Sequence, residues 1–554
     1  MKRKKNEAMI EFKLFAPYNK AAQLIGSFSD WKEIPMKKGS DGYFRAKIRL
    51  KDGVYTYRFR VQSNSWFFEQ GHWVTITDPY AVEIEDETQN GVLRVRDGKP
   101  VVDGYKWEYD DRPLASDTEL IIYEMHTGDF SGGESDPFVR GKYIDVLAKL
   151  DYLAELGVNA IELMPVKEFP GDHSWGYNPR YFFASESSYG TSEELKRLID
   201  QCHAHGMRVI MDGVYNHAEA DAPLTQIDYE YWFHREPKDA EWNWGPEFNY
   251  EHHDEKLNVK PAWKFIGDVV RFWIEEYHID GIRYDATRQI GNYDFMRWIV
   301  EEGKRSAGSK SFYNVAEYTP PDPSIAGVDG PMDGCWEDLF LHTVVPYLCT
   351  GEYNLEQLKD VIDPKRKGFT DAAKVVNYLS NHDHERLMSK LADHNVFDGE
   401  AFRRAKLGAS LLMTSIGIPM IWMGEEFGEF KQKTVEKNKI DWQLLGNEQN
   451  HQLFDYYKSM IALRKEHPAL QTENISFIYE SVEHGVLAFA RWTDAGDRVI
   501  VVINLSGKPL KDYTVTIEES GIWREWTAGV EIEIAHNHMI VDLPEREAKI
   551  FVRA

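Results

Sequence analysis

Three acidic residues of the 554-residue chain stand at the ends of short apolar runs, each beside Arg, His or Asn. Asp285 ends Gly281-Ile-Arg283-Tyr-Asp285, Glu317 closes Tyr313-Asn-Val-Ala-Glu317, and Asp383 follows Val376-Asn-Tyr-Leu-Ser in Asn381-His382-Asp383. A fourth run, Val209-Ile-Met-Asp212-Gly-Val, leads into Tyr215-Asn216-His217. A single carboxylate of this kind reads as a helix cap or a surface ion pair. Three in equivalent positions do not. Carboxylates converging in a cleft, with no Cys/His metal cage and no phosphate loop, suit acetal chemistry. Cleaving a glycosidic bond takes one carboxylate as nucleophile and one carboxyl as acid and then base, about 5 to 5.5 Å apart when configuration is retained. A third can stabilise the cationic transition state. Aromatic residues, 13% of the chain, offer stacking faces for sugar rings and cluster in Tyr229 to Phe233 and Trp242 to Tyr250. The same rings could instead hold together the long segment in which they lie.

Such residues need a scaffold that gathers their strand ends. From Leu120 onward, β-rich runs alternate with segments of helical apolar spacing, as in Leu147 to Leu156 ahead of Val158 to Leu163. Eight strands are expected, at Leu120 to Met125, Val158 to Met164, Arg208 to Tyr215, Gly281 to Asp285, Phe312 to Glu317, Gly334 to Phe340, Val375 to Asn381 and Pro419 to Met423. Eight βα units predict a closed (β/α)8 barrel, an α/β fold with catalytic groups at the C-terminal strand ends. An open doubly wound sheet would show the same alternation. Residues 1–105 read as a β-sandwich, 106–465 as the barrel with a long insertion at 218–262, and 466–554 as a C-terminal antiparallel β-sandwich. The longest apolar run, Leu411 to Met423, is broken by Thr414, Ser415, Gly417 and Pro419. It reads as a buried helix passing into a strand, not as a membrane span.

The formal charge of -26 is spread along the chain and would repel nucleic acid and acidic membrane surfaces, so a neutral partner is expected. Cys202, Cys335 and Cys349 show no metal-type spacing and cannot pair completely, which suits a reducing compartment. The start Met1-Lys-Arg-Lys-Lys is basic, but Glu11, Lys13 and Pro17 break the apolar stretch after it, so a cytoplasmic protein without a signal peptide is expected. No strand is followed by Gly-x-Gly-x-x-Gly, which argues against dinucleotide chemistry. Asn216 could ligate calcium, but no Asp/Asn-rich loop accompanies it, so neither a metal nor another cofactor is expected. Oligomeric state cannot be read from the sequence.

The strand-end motifs resemble those of the α-amylase superfamily, glycoside hydrolase family 13, over nearly the whole chain. Asp212-Gly-Val-Tyr-Asn216-His217 is similar to its first conserved region, Gly281-Ile-Arg283-Tyr-Asp285 to its second, Ala316-Glu317 to its third and Asn381-His382-Asp383 to its fourth. The resemblance implies Asp285 as nucleophile, Glu317 as acid/base and Asp383 as transition-state stabiliser. Arg283 would orient Asp285 and keep it ionised. His217 and His382 would bind sugar hydroxyls, with Tyr177 of Trp175-Gly-Tyr-Asn-Pro stacking beneath the ring. Asp212 and Asn216 would support the site. The first residues, with Phe15-Ala-Pro17, Gly26-Ser-Phe28-Ser-Asp-Trp31 and Gly53-Val-Tyr-Thr-Tyr-Arg-Phe59, resemble the β-module of branching enzymes, isoamylases and trehalohydrolases. Packing against the barrel is as good a role for it as glucan binding, since Trp31 and Trp66 could be core residues.

Within the superfamily the chain resembles two groups. Phe169-Pro-Gly-Asp-His-Ser-Trp-Gly-Tyr-Asn-Pro is similar to glycogen branching enzymes, whose fourth region usually reads Ser-His-Asp-Glu where this chain has Asn381-His-Asp-His384. Asp285-Ala-Thr287 and Trp336-Glu-Asp338 look like trehalohydrolases, which follow the acid/base Glu with Asp where Tyr318 stands here. The expected function is retaining hydrolysis of α-glucosidic bonds, chiefly α-1,4, in α-glucans or maltooligosaccharides. The alternatives are a branching transferase forming α-1,6 links and a catalytically silent glucan-binding protein. Retention of all three carboxylates disfavours the last.

Overall fold

The structure, a computed structural model, describes residues 7–133 and 139–554. The basic start from Met1 to Lys5 lies outside the described residues. Eight strands close into a barrel in chain order: β1 (Ile122–Met125), β2 (Ala160–Leu163), β3 (Arg208–Gly213), β4 (Gly281–Tyr284), β5 (Tyr313–Ala316), β6 (Gly334–Glu337), β7 (Val375–Asn377) and β8 (Ile418–Trp422). Every neighbouring pair is parallel, and β8 returns to β1. Helices cover the outside and side chains fill the inside, so each strand is buried along its length and reads as an unbroken apolar run.

All eight expected strands are present, and most are shorter than the apolar runs suggested. The sixth was expected to reach Phe340 but stops at Glu337, because Asp338 opens a helix that runs to Thr350. A capping box starts the helix Ser192–Ala204: the Thr191 hydroxyl accepts from the Glu194 N–H and the Glu194 carboxylate accepts from the Thr191 N–H. Gly206, at φ 74°, then turns the chain into β3. The apolar run after Leu411 divides as expected, into the end of the helix Asp398–Thr414 and the strand β8.

Before the barrel, Glu7–Phe15 pairs antiparallel with Tyr43–Lys51, and Gly53–Gln62 sits within a second, larger sheet; Phe12, Leu24, Phe59 and Val61 lie between them. Of the two roles left open for Trp31 and Trp66, the core one does not hold. They are 42% and 52% exposed, and Trp66 packs edgewise on Phe67 and on Tyr229 of the barrel insertion. After the barrel comes a six-stranded antiparallel sheet, from Ile475–Ser481 to Glu547–Arg553 in sequence, packed with a two-stranded antiparallel sheet, Leu510–Thr516 and His538–Leu543, around Val486, Val502, Trp523 and Phe551. Among the described residues no helix is long and apolar enough to cross a membrane.

The insertion after β3 carries the helix Pro223–Trp232, interrupted at Asp228 where the backbone is extended. At that break Ser65 of the first β-region takes the place of the missing helical bond. Its hydroxyl donates to the Thr225 carbonyl (2.5 Å) and accepts from the Tyr229 N–H (3.0 Å). Asn19 donates to the Ile227 carbonyl and Ser63 to the Gln226 carbonyl, each at 2.7 Å.

Candidate active site

Arg283, fully buried on β4, organises the C-terminal mouth of the barrel. Its Nη1 donates to both oxygens of Asp212 (2.9 and 2.8 Å) and to Oδ1 of Asp285 (2.9 Å). Its Nη2 lies 3.1 Å from Oε2 of Glu317. The guanidinium rests on the Trp336 ring, 4.2 Å from the centroid. One rigid fork therefore holds a carboxylate from each of three adjacent strand ends, β3, β4 and β5. A point charge on a flexible stem could not fix all three.

The backbone completes the placement. Ala286, directly after Asp285, adopts the left-handed region at φ 49°, and its N–H donates to Oε2 of Glu317 (2.7 Å). Such a conformation costs an alanine about 1 kcal/mol or more. It turns an amide toward the acid that faces Asp285. The Thr287 N–H (3.0 Å) and hydroxyl both donate to the Glu317 carbonyl, which ties β4 to β5 at their ends. Burial and the facing Glu317 raise the proton affinity of Asp285 well above the usual carboxylate range, and Arg283 opposes them.

Asp383 projects from the loop after β7. Its neighbour His382 donates from Nδ1 to Glu124 on β1 (2.7 Å), and its Nε2 lies 3.4 Å from Oδ2 of Asp383. Burial opposes a charge on His382, but Asp383 and Glu124 outweigh it and raise the ring to about 9. His382 in turn holds Asp383 below the usual carboxylate range, against burial.

Asp285, Ala286, Glu317, His382 and Asp383 line a cleft of about 350 Å³ together with Ser174, Trp175, Tyr177, Asn178, His217, Trp244 and Val435. All three expected carboxylates, Trp175, Tyr177, His217 and His382 meet there. Tyr177 is not free to act only as a sugar platform. One face stacks on His382 at 4.9 Å and its hydroxyl donates to Asp212 (2.5 Å). His217 donates from Nε2 to the Tyr177 carbonyl (2.7 Å), and its Nδ1 is 3.5 Å from the Asn216 amide, so both ring nitrogens already have neighbours. Asp212 and Asn216 are buried behind the cleft wall. In the insertion, Tyr231, Trp232, Phe233, Phe248 and Tyr250 are buried and pack the segment, whereas Trp242 and Trp244 are exposed, 5.6 Å apart.

The sequence reading missed the two carboxylates beneath the cleft. Glu124 and Glu162 are partners across β1 and β2 and nearly inaccessible to solvent. Burial, then Glu124, raises Glu162 well above its ordinary value. A charged residue inside a wholly apolar strand, as in Leu120-Ile-Ile-Tyr-Glu124 and Ala160-Ile-Glu162, was the available signal. Lys433, whose ammonium donates to the Asp383 carbonyl, lies in a loop with no such mark. Among the described residues no group of three or more His, Cys, Asp or Glu is arranged to hold a metal ion.

A family model described as alpha amylase, catalytic domain, matches residues 122–305 and 348–445, together just over half of the chain. The chain belongs to the alpha-amylase family. Its barrel is the family's catalytic domain, and residues 2–81 match carbohydrate-binding module 48, the isoamylase N-terminal domain. A malto-oligosyltrehalose trehalohydrolase of Saccharolobus solfataricus is 28% identical over 539 residues, covering 84% of this chain and 86% of its own length. A 1,4-alpha-glucan branching enzyme of Prochlorococcus marinus is 26% identical, covering 93% of this chain and 74% of its own. The crystal structure of pullulanase type I from Bacillus subtilis complexed with maltose superposes with a TM-score of 0.83 at 22% identity, over 99% of this chain and 84% of that one. At that identity the superposition speaks for the fold alone.

Proposed function

We propose that this alpha-amylase family member is a retaining glycoside hydrolase that cleaves α-glucosidic bonds, chiefly α-1,4, in maltooligosaccharides and starch- or glycogen-type glucans. The observation that carries the reading is the single buried guanidinium of Arg283 shared by Asp285 and Glu317. Its direct hydrogen bond to Asp285 orients that carboxylate, and the Ala286 N–H fixes Glu317 beside it, which sets the two carboxyls for the two roles the reaction needs. The Asp285 carboxylate attacks the anomeric carbon while Glu317 protonates the departing glycosidic oxygen, giving a β-glucosyl ester. Glu317 then takes a proton from water, the water oxygen attacks the same carbon, and Asp285 leaves. Asp383, kept anionic by His382, faces the positive charge that develops on the sugar in both steps.

Hydrolysis is favoured over branching by His384, which stands where branching enzymes usually have Glu. Its Nδ1 donates to Asn381 (2.9 Å), and its ring packs edgewise on His342 at 5.4 Å. Burial, then His342, pushes it down to about 4, so it is neutral where the enzyme works. An anionic partner for an acceptor hydroxyl is thereby absent from that position. Three buried free cysteines suit a reducing compartment, and we place the protein in the cytoplasm.

Incubation with amylose tests the reading. Reducing ends are expected to rise with time while α-1,6 linkages stay at background, and proton NMR of early products should show the α-anomer first. Initial β-anomer would refute Asp285 as nucleophile. New α-1,6 linkages without matching reducing ends would make the protein a branching transferase.

A further inference from the structure

Glu124 lies on the opposite side of His382 from the cleft and reaches no sugar-facing surface, yet it makes the shortest polar contact of that histidine. Burial raises the proton affinity of Glu124 and the facing His382 opposes it; as a carboxylate Glu124 can only accept, so the 2.7 Å contact then carries a proton on Nδ1. At the other end of the ring, Nε2 stands 3.4 Å from Asp383, also an acceptor. A neutral imidazole would set a lone pair against an anion there, whereas a doubly protonated ring satisfies both partners.

The surroundings can be counted element by element. Facing His382 are Glu124 of β1, Glu162 of β2, Arg283 of β4, Asp383 beside it and the Tyr177 hydroxyl, 3.5 Å from Nδ1 and itself bonded to Asp212 of β3. The rings of Tyr177, Trp175, Trp336 and Trp422 close the remaining sides. Arg283 is engaged with Asp212, Asp285 and Glu317, which leaves Glu124 and Asp383 as the anions on His382 itself.

We propose that Glu124 is a positioning residue of the reaction: its carboxylate holds His382 as an imidazolium, so that the second N–H is presented to Asp383 and to the sugar hydroxyls bound beside it. The Glu124–His382–Asp383 line runs from the barrel interior into the cleft and keeps Asp383 anionic. The inference rests on the reading of Asp383 as transition-state stabiliser.

Glu124→Gln separates charge from shape, because the amide oxygen can still accept from Nδ1 while the anion is gone. In protein labelled with 15N-histidine, with His382→Asn used for assignment, wild-type His382 should remain an imidazolium at about pH 8, and in Glu124→Gln its titration should fall by roughly one to two pH units. The alkaline limb of kcat/KM should move down with it, with kcat falling more than KM rises and activity best retained at acid pH. Glu124→Asp should restore part of the shift. A wild-type His382 that is neutral at about pH 7 overturns the proposal without any variant, as does an unchanged titration or an unmoved alkaline limb in Glu124→Gln. Asp383→Asn with wild-type activity would instead remove the role of Asp383, and with it the catalytic half of the proposal, while the NMR result still reports on Glu124.

Discussion

Arg283→Lys keeps a positive charge at the centre of the site and removes its geometry. Arginine contacts Asp212 and Asp285 through Nη1 and Glu317 through Nη2, and lies flat on Trp336. A lysine ammonium, one compact donor on a flexible stem, can retain the Asp212 and Asp285 side or the Glu317 side, but not both. The smallest loss is one charge-assisted contact, about 1.5–3 kcal/mol, and the desolvated stacking on Trp336, about 2 kcal/mol. With about 1.4 kcal/mol per decade of rate, kcat/KM should fall roughly 300- to 4,000-fold, mostly in kcat, because the contacts fix the reacting carboxylates rather than the distant sugar units. Initial rates on maltooligosaccharides measure this, with circular dichroism and thermal unfolding to establish that the variant is folded. A folded Arg283→Lys within about threefold of wild-type kcat/KM would refute the argument that a shared rigid fork sets the site.

Asp285→Asn and Glu317→Gln are nearly isosteric and should each lower turnover by about 10³-fold or more while glucan binding persists; near wild-type rates in either would void that assignment. The kcat/KM profile should be bell-shaped. Its acid limb reports protonation of Asp285, whose affinity for the proton is raised, so activity should be lost as pH falls at a point above the ordinary carboxylate value of about 4, and its alkaline limb follows loss of the His382 proton, held up to about 9 by Asp383 and Glu124; a flat profile across that range would contradict these assignments. Trp244→Ala and Trp242→Ala should raise KM for long maltooligosaccharides more than for short ones, Trp244 having the larger effect because it lines the cleft. Equal effects at all lengths would show that these rings do not carry a chain.

The barrel was legible because its strands are buried on both sides and punctuated by helices, and the carboxylates were legible because a polar residue ending such a strand has few other uses. Less visible was the division of labour among the aromatic residues. Trp242 and Trp232 look alike in sequence, yet one is exposed and the other buried, a difference set by how the insertion folds back on the barrel. Trp31 and Trp66 stayed open between core and surface, since a large apolar ring in a β-module fits either until the turn that places it is known. Tyr177 was found for its place but not for its bonds: contacts to Asp212 and His382 join residues far apart in the chain, and spacing carries no record of them. Glu124 and Glu162 were hidden by the helpfulness of their neighbours, which identified the strands and drew attention past the charge inside them.

Ser65 ties the first β-region to the insertion whose Trp244 lines the cleft. The helix of the insertion has no bond of its own between the Thr225 carbonyl and the Tyr229 amide, and a hydroxyl from 160 residues earlier in the chain supplies both halves of it. A fragment beginning after Val101 would leave those groups orphaned, in the same insertion that bears Trp242 and Trp244. The module is therefore a splint as much as a handle: severing it would loosen one bank of the substrate channel even if no sugar ever touched the module itself.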